Sequence, residues 1–376
     1  AGAGAAQRTR PGPRIYVVML RSLASFSRLL PRNLPLISVS TARLDHCVHS
    51  VAPQSCSCAA PAPAVWRSLS SSSSTDSLAP TFDKAAVVNA VQCIDVSEVG
   101  ETVRAYGVAV LSGAVSASDV SLLNARASEL ATAEHEADAV VFSTRNQHST
   151  KTTPYFLQSG DRIRYFFEEE EPPASSSAKE LPDPVLKCNK IGHALHELDP
   201  VFKEFTYRSQ FAALAREQLK LSKPTAVQSM FIFKGPYIGG EVVPHQDSSF
   251  IHTTPLSCYG FWVALSDATV ENGCLWSIPG SHKQPPVTRF VRTASGDVEF
   301  NPPRPDPSTY DMAKAVPLEC KAGSLVILHG SLVHFSYQNK SQYPRPAYAF
   351  HVVDGACQWS ADNWLQRPPT MPFREM

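Results

Sequence analysis

The sequence predicts a mainly β domain with flanking α-helices, and three observations predict it. After Lys223 short runs rich in aromatic and branched residues follow one another, separated by Gly, Pro, Asn and Asp; such spacing marks an all-β sandwich or barrel. Ahead of that point apolar residues recur at helical intervals. The third observation is the order itself, helices first and strands later, which reads as helices packed around one β-core.

Residues 1–80 stand apart. Within residues 1–75 there are eight Arg, no Lys and one acidic residue, Asp45, and the serine run "SLSSSSSTD" follows. Basic, Ser-rich and acid-poor composition is that of a targeting segment, with a disordered tail as the plainer reading. From Met19, residues Leu20, Leu23, Phe26, Leu29 and Leu30 repeat at helical spacing, with Arg21 and Arg28 off the stripe. A mitochondrial address is expected, with plastid or cytoplasm as alternatives, and Met19 reads as the start, residues 1–18 being leader.

Residues 81–376 are expected to form the folded domain. "DVSEVGETVRAYGVAVLSG" reads as a helix broken at Gly107 and then a strand. "SASDVSLLNARASELATAEHEA" reads as a helix with Ser116 or Ser118 as N-cap. The 136–188 segment is polar and irregular, expected as a lid or insert. Residues 199–219 return to helix. The expected strands are "TAVQSMFIFK", "SCYGFWVALSDAT", "GCLWSIPGS", "AVPLECKAGSLVILHGSLVHFSY" and "PAYAFHVVD".

Formal charge is zero, so no global field recruits nucleic acid or an anionic membrane. No run of eighteen apolar residues is present, so no membrane span is predicted. The nine cysteines are scattered without a C-x-x-C pair, against both a zinc ribbon and a disulfide framework, as in a reducing compartment.

"PHQDSSF" (Pro244 to Phe250) carries the chemistry. Residues i and i+2 of a strand share a face, so His245 and Asp247 can converge on one ion. An inward carboxylate without a partner is costly, and a metal removes the cost. Two histidines and one carboxylate form the facial triad of non-haem Fe(II) oxygenases. A third ligand is therefore sought late in the β-core: His329 or His334, with His351 and His282 as outsiders. His193, His196 and His252 are further suspects, the first two read as i, i+3 on a helix. If the chain turns near Lys340, Arg345 lies level with His334 on the neighbouring strand, about 5 Å away. A buried guanidinium there would take a carboxylate bidentately, so the pair describes a site for a dicarboxylate keto acid.

With "ENGCLWSIPGSHK", "NKIGHALHELDPVF", "QSMFIFK" and "WSADNWLQ" in the same order, this pattern resembles the phytanoyl-CoA dioxygenase family over roughly residues 85–367. The resemblance implies a double-stranded β-helix (jelly-roll, cupin-like) core, with Fe(II), 2-oxoglutarate as cosubstrate and O₂. It implies His245, Asp247 and His334 as metal ligands and catalytic residues. It also implies Lys190, Met230, Trp262, Ser336 and Arg345 as cosubstrate contacts. Lys190 otherwise reads as a surface lysine before a helix, and Met230 and Trp262 as plain core.

The implied reaction hydroxylates a small molecule while 2-oxoglutarate is decarboxylated to succinate and CO₂. A halogenase would need a halide where Asp247 stands, so the intact carboxylate argues for hydroxylation. A 2-oxoglutarate-binding sensor or non-catalytic homologue is the alternative. A structural β-barrel holding zinc or nothing is opposed by the costly Arg345 cation.

Overall fold

The computed structural model describes residues 82–93, 95–133, 140–142, 153–169 and 184–376. The 1–80 segment with its Met19 start lies outside the described residues, as do 136–139, 143–152 and 170–183 of the expected lid. No helix among the described residues is long and apolar enough to cross a membrane.

Local chemistry sets the early elements. Asp83 accepts from the Ala86 N–H and opens helix Lys84–Ala90. Helix Val99–Tyr106 stops at Gly107, whose φ of 85° is left-handed and whose N–H closes on the Val103 carbonyl at 2.8 Å; glycine enters that region without a Cβ penalty. Strand Val108–Leu111 follows, then helix Ala117–Ala133, burying Leu123, Ala127 and Ala131 at i, i+4 and i+8. The stretch expected as one helix over 199–219 is two, Pro200–Thr206 and Ser209–Glu217. Asp199 caps the first by accepting from Val201 and Phe202 N–H groups, and extended Arg208 (ψ 139°) separates them.

Two sheets form the β-core. The larger runs in the order Gln92–Cys93, Val108–Leu111, Leu325–His329, Tyr259–Ala264, Ala347–Asp354, Pro224–Ile232, Cys188–His193, Ile163–Glu168 and Val140–Phe142, with Arg374–Glu375 also pairing to Pro224–Ile232. The smaller runs Val316–Leu318, Leu275–Ser277, His334–Ser336, Val242–His245. This is the double-stranded β-helix, with no closed barrel. The described part of 136–188 is not irregular: it supplies the last two strands at one end of the larger sheet, Ile163–Glu168 and the edge strand Val140–Phe142. Alternating apolar residues in "IRYFFE" carry that strand, a pattern overshadowed by the acidic run beside it.

Strand alternation divides the apolar residues between two cores. Phe261, Val263, Tyr348 and Phe350 turn toward the helices and pack with Phe202, Phe205, Phe211 and Leu214. Trp262, Ala264, Ala347 and Ala349 turn the other way and pack with Leu275, Val316 and Leu318 of the smaller sheet. Small residues on that inner face leave a cavity between the sheets.

Candidate active site

The cavity, about 180 Å³, is lined by all eight residues singled out in the sequence: Lys190, Met230, His245, Asp247, Trp262, His334, Ser336 and Arg345. His245 ends one strand of the smaller sheet and His334 begins the next, and the two are direct cross-strand partners. Their rings lie 4.2 Å apart, centre to centre. Asp247 is not in the strand, contrary to expectation. It opens a short 3₁₀ turn, Asp247–Ser249, but Gln246 between them is still extended (φ −123°, ψ 129°). The alternation thus runs one residue past the last ladder bond, and the two side chains converge.

The proton inventory of the triad follows from its carbonyl partners. His245 Nδ1 donates to the Val243 carbonyl at 2.9 Å and His334 Nδ1 to the Leu332 carbonyl at 3.0 Å. A carbonyl can only accept, so each Nδ1 carries a proton and each ring turns its Nε2 edge toward Asp247. Those atoms stand 3.7 and 3.6 Å from Asp247 Oδ1. Among the described residues this is the set of His, Cys, Asp and Glu side chains whose ligand atoms all lie within 4.8 Å of one another. Burial acts to raise the Asp247 pKa, but the imidazoles of His334, His351 and His245 outweigh it and hold the carboxyl well below the usual range.

His351, an outsider in the sequence, contributes from behind. Its Nε2 stands 3.3 Å from Asp247 Oδ2, without hydrogen-bond alignment. Gly260, its partner on the adjacent strand, leaves room for the carboxylate: a Cβ there would lie 3.0 Å from Oδ2. The remaining histidines are used elsewhere. His329 Nδ1 accepts from the Ser331 N–H, and burial pushes its pKa down to about 4. His282 Nε2 meets the Arg104 carbonyl, and the Asn363 side chain accepts from the His252 N–H and donates to its carbonyl. His193 ends strand Cys188–His193 and bonds Ser159, whereas His196 sits in a separate turn and bonds Ser229; they are not i, i+3 on one helix.

Arg345 is 2% exposed and reaches the cavity by a route other than the one expected. His334–Ser336 belongs to the smaller sheet, whereas Ala347–Asp354, which follows Arg345, belongs to the larger. The two are not neighbouring strands, because the "QNKSQYP" loop crosses between the sheets. Arg345 therefore reaches the cavity from the start of a strand of the larger sheet and lines it together with the triad. Its Nε donates to the Gly273 carbonyl at 3.1 Å, its Nη1 has no partner, and its guanidinium lies 5.1 Å from the Trp262 ring centre. Burial lowers its pKa to about 10.

Two other cations share the cavity. Lys190 is buried, with Nζ 3.5 Å from the centre of the Phe142 ring, so it is not a surface lysine. Burial, partly countered by Glu168, brings its pKa down to about 7. Lys234 is 2% exposed and was not foreseen. Against Lys190, Lys234 and Arg345 the lining sets the Glu168 and Asp247 carboxylates, and Asp247 belongs to the triad. The other walls are Phe142, Phe156, Phe250 and Trp364, with Gln228 two residues from Met230 on the same strand face.

These observations fit an iron and a dicarboxylate. Two imidazoles with a buried carboxylate suit a first-row divalent ion, and a buried guanidinium with an unpartnered N–H calls for an anion. A double-stranded β-helix that turns such a triad into a cation-rich cavity is the arrangement of the non-haem iron, 2-oxoglutarate-dependent enzymes. The chain belongs to one family of that class: the family model described as "Phytanoyl-CoA dioxygenase (PhyH)" matches residues 103–347.

Relatives extend the match. A phytanoyl-CoA dioxygenase of Arabidopsis thaliana is 47% identical over 265 residues, covering 70% of this chain and 91% of the relative. The Bos taurus phytanoyl-CoA dioxygenase domain-containing protein 1 is 43% identical over 277 residues, covering 71% and 93%. Among solved structures, EctD from S. alaskensis with bound Fe is similar at a TM-score of 0.48 and 19% identity, covering 71% of this chain and 79% of that one. The protein is thus a dioxygenase-family enzyme whose cofactors are iron, 2-oxoglutarate and O₂.

Proposed function

We propose that the protein hydroxylates a small molecule, with His245, Asp247 and His334 holding Fe(II) and Arg345 holding the distal carboxylate of 2-oxoglutarate. The observation that carries this reading is the pairing, in one cavity, of the converging Nε2 and carboxylate atoms with the unpartnered Arg345 Nη1. An iron bound there would supply oxygen activation coupled to decarboxylation of 2-oxoglutarate to succinate and CO₂.

The chain's own residues do the rest. The Val243 and Leu332 carbonyls fix the orientation of both ligand imidazoles, so that Nε2 is the nitrogen each offers to the metal. Ser336, Lys190, Met230 and Trp262 surround the cosubstrate. The aromatic walls Phe156, Phe250 and Trp364 exclude water where the primary substrate enters.

The test is a substrate screen read as succinate and ¹⁴CO₂ from labelled 2-oxoglutarate, with acyl-CoA thioesters included because the relatives' names carry one. Succinate formation stimulated by a compound, with that compound oxygenated in equal amount, supports hydroxylation. Tight 2-oxoglutarate binding with no turnover on any compound favours a sensor. A fluorescent fusion of residues 1–80 tests the proposed mitochondrial address.

A further inference from the structure

The Lys234 ammonium is threaded into the cavity by two glycines. A Cβ at Gly239 would stand 2.6 Å from Lys234 Cγ, and one at Gly273 would collide with Lys234 Cε. Lys234 itself adopts a left-handed φ of 41°, uncommon for a residue with a side chain. The backbone thus departs from strand geometry just past Ile232 and makes a slot for this one side chain. Its Nζ donates to the Gly240 carbonyl at 2.8 Å and to Ser336 Oγ at 3.1 Å. An ammonium carries three protons, two of which these bonds use, and the side chain lines the cavity; burial and the neighbouring Arg345 lower its pKa well below 10.5, so an anion in the cavity is what favours its charged form.

The consequence falls on Ser336. A hydroxyl oxygen that accepts from an ammonium turns its own proton away from it, and Ser336 also lines the cavity. Its hydroxyl is therefore set as a donor to whatever lies there. Gly273 joins the arrangement by accepting from Arg345 Nε, so Lys234 and Arg345 are two cations held around one turn. Glu168 faces Lys234 through the Gly240 N–H, which it accepts at 3.3 Å, and through the Asn189 amide at 2.9 Å. One carboxylate so engaged leaves the three buried basic side chains Lys190, Lys234 and Arg345 short of anionic partners.

We propose that Lys234 is a positioning residue for the dicarboxylate cosubstrate: it turns the Ser336 hydroxyl toward the distal carboxylate and, beside Arg345, supplies that carboxylate with a second positive charge. This rests on the function proposed above. It follows that Lys234 governs the choice between a keto acid with a distal carboxylate and one without. The α-keto end is handled by the triad, which Lys234 does not touch.

The test is equilibrium binding of 2-oxoglutarate and of 2-oxobutyrate, which lacks the distal carboxylate, to the Mn(II)-loaded protein by calorimetry. Unaltered protein, Lys234→Met, Ser336→Ala and the double variant are compared. Loss of a charge-assisted donor predicts a roughly 30-fold fall in 2-oxoglutarate affinity for Lys234→Met, with under about 3-fold change for 2-oxobutyrate. The double variant is expected to lose less than the two single losses combined, because Lys234 acts partly through the hydroxyl. Equal losses for both acids, full additivity, or no loss would overturn the proposal. If unaltered protein binds neither acid, the cosubstrate reading itself fails. If it binds 2-oxoglutarate and Lys234→Met binds it as well, only this inference fails. Should Lys234→Met not fold, Lys234→Gln, which removes the charge, replaces it: a loss of 2-oxoglutarate affinity without loss for 2-oxobutyrate is expected, and equal losses for both acids or no loss would overturn the proposal.

Discussion

Replacing Arg345 by Met separates what this side chain costs the fold from what it does for the ligand. Its pKa is lowered by burial to about 10 from 12.5, and the side chain is 2% exposed. The folded state therefore disfavours the charged form by about 3 kcal/mol, at 1.36 kcal/mol per pH unit. For a base lowered on folding, that penalty is fully present below pH 10, and so throughout the neutral range. Methionine removes it. The hydrogen bond to Gly273 and the contact with Trp262 are lost as well, worth about 2 kcal/mol together.

The net expectation is a ligand-free protein more stable by about 1 kcal/mol, or roughly 2 °C in Tm for a domain of this size. The ligand effect runs the other way. Two charge-assisted hydrogen bonds at about 1.5–3 kcal/mol each predict at least a 100-fold loss of 2-oxoglutarate affinity. Thermal unfolding of the Mn(II)-loaded protein across a 2-oxoglutarate series reads both quantities. A variant that melts lower and still responds to 2-oxoglutarate like the unaltered protein would refute the assignment, since the guanidinium would then be a structural element.

Two further outcomes follow from the same geometry. Gly260→Ala places a methyl group 3.0 Å from Asp247 Oδ2, displacing the carboxylate by tenths of an ångström. Metal affinity is expected to fall about 10-fold, as for loss of an outer support, with the circular-dichroism spectrum unchanged; unaltered affinity would mean the carboxylate has slack. Lys190, brought down to about 7 by burial against the counter-effect of Glu168, binds an anion only when protonated. 2-Oxoglutarate affinity should therefore fall as pH rises above about 7, and Lys190→Gln should flatten that dependence; a flat profile in unaltered protein would show that Lys190 does not meet the cosubstrate.

The β-core was legible because its strands alternate. "PAYAFHVVD" sends Tyr348 and Phe350 one way and Ala347, Ala349 and His351 the other, and "GFWVAL" alternates Phe261 and Val263 with Gly260, Trp262 and Ala264, so their two faces were implicit in the order of residues. His245 and Asp247 were legible from spacing even though Asp247 lies beyond the ladder. His334 was not separable from His329 on local grounds, since both end or begin strands five residues apart. Cross-strand pairing with His245 in the smaller sheet brings His334 and not His329 to it, a long-range property that no window of sequence contains.

Lys234 and Glu168 were missed for a related reason. "FIFKGPYIGGE" reads as a strand ending in a surface lysine before a turn. The slot that buries Lys234 is made by Gly239 from that turn and by Gly273 from far along the chain. A charged residue followed by three glycines within six positions was the available signal. His351 stood in a predicted strand as an outsider, and its place behind Asp247 depends on register with Gly260.

The central claim is that His245, Asp247 and His334 hold an iron to which 2-oxoglutarate binds. Anaerobic Fe(II) loading followed by 2-oxoglutarate titration, monitored in the visible spectrum, tests it directly with unaltered protein and His334→Ala. A charge-transfer band that saturates with one equivalent of 2-oxoglutarate in the former and is absent in the latter is the predicted result. No band in unaltered protein, or a band that survives the loss of His334, would contradict the account.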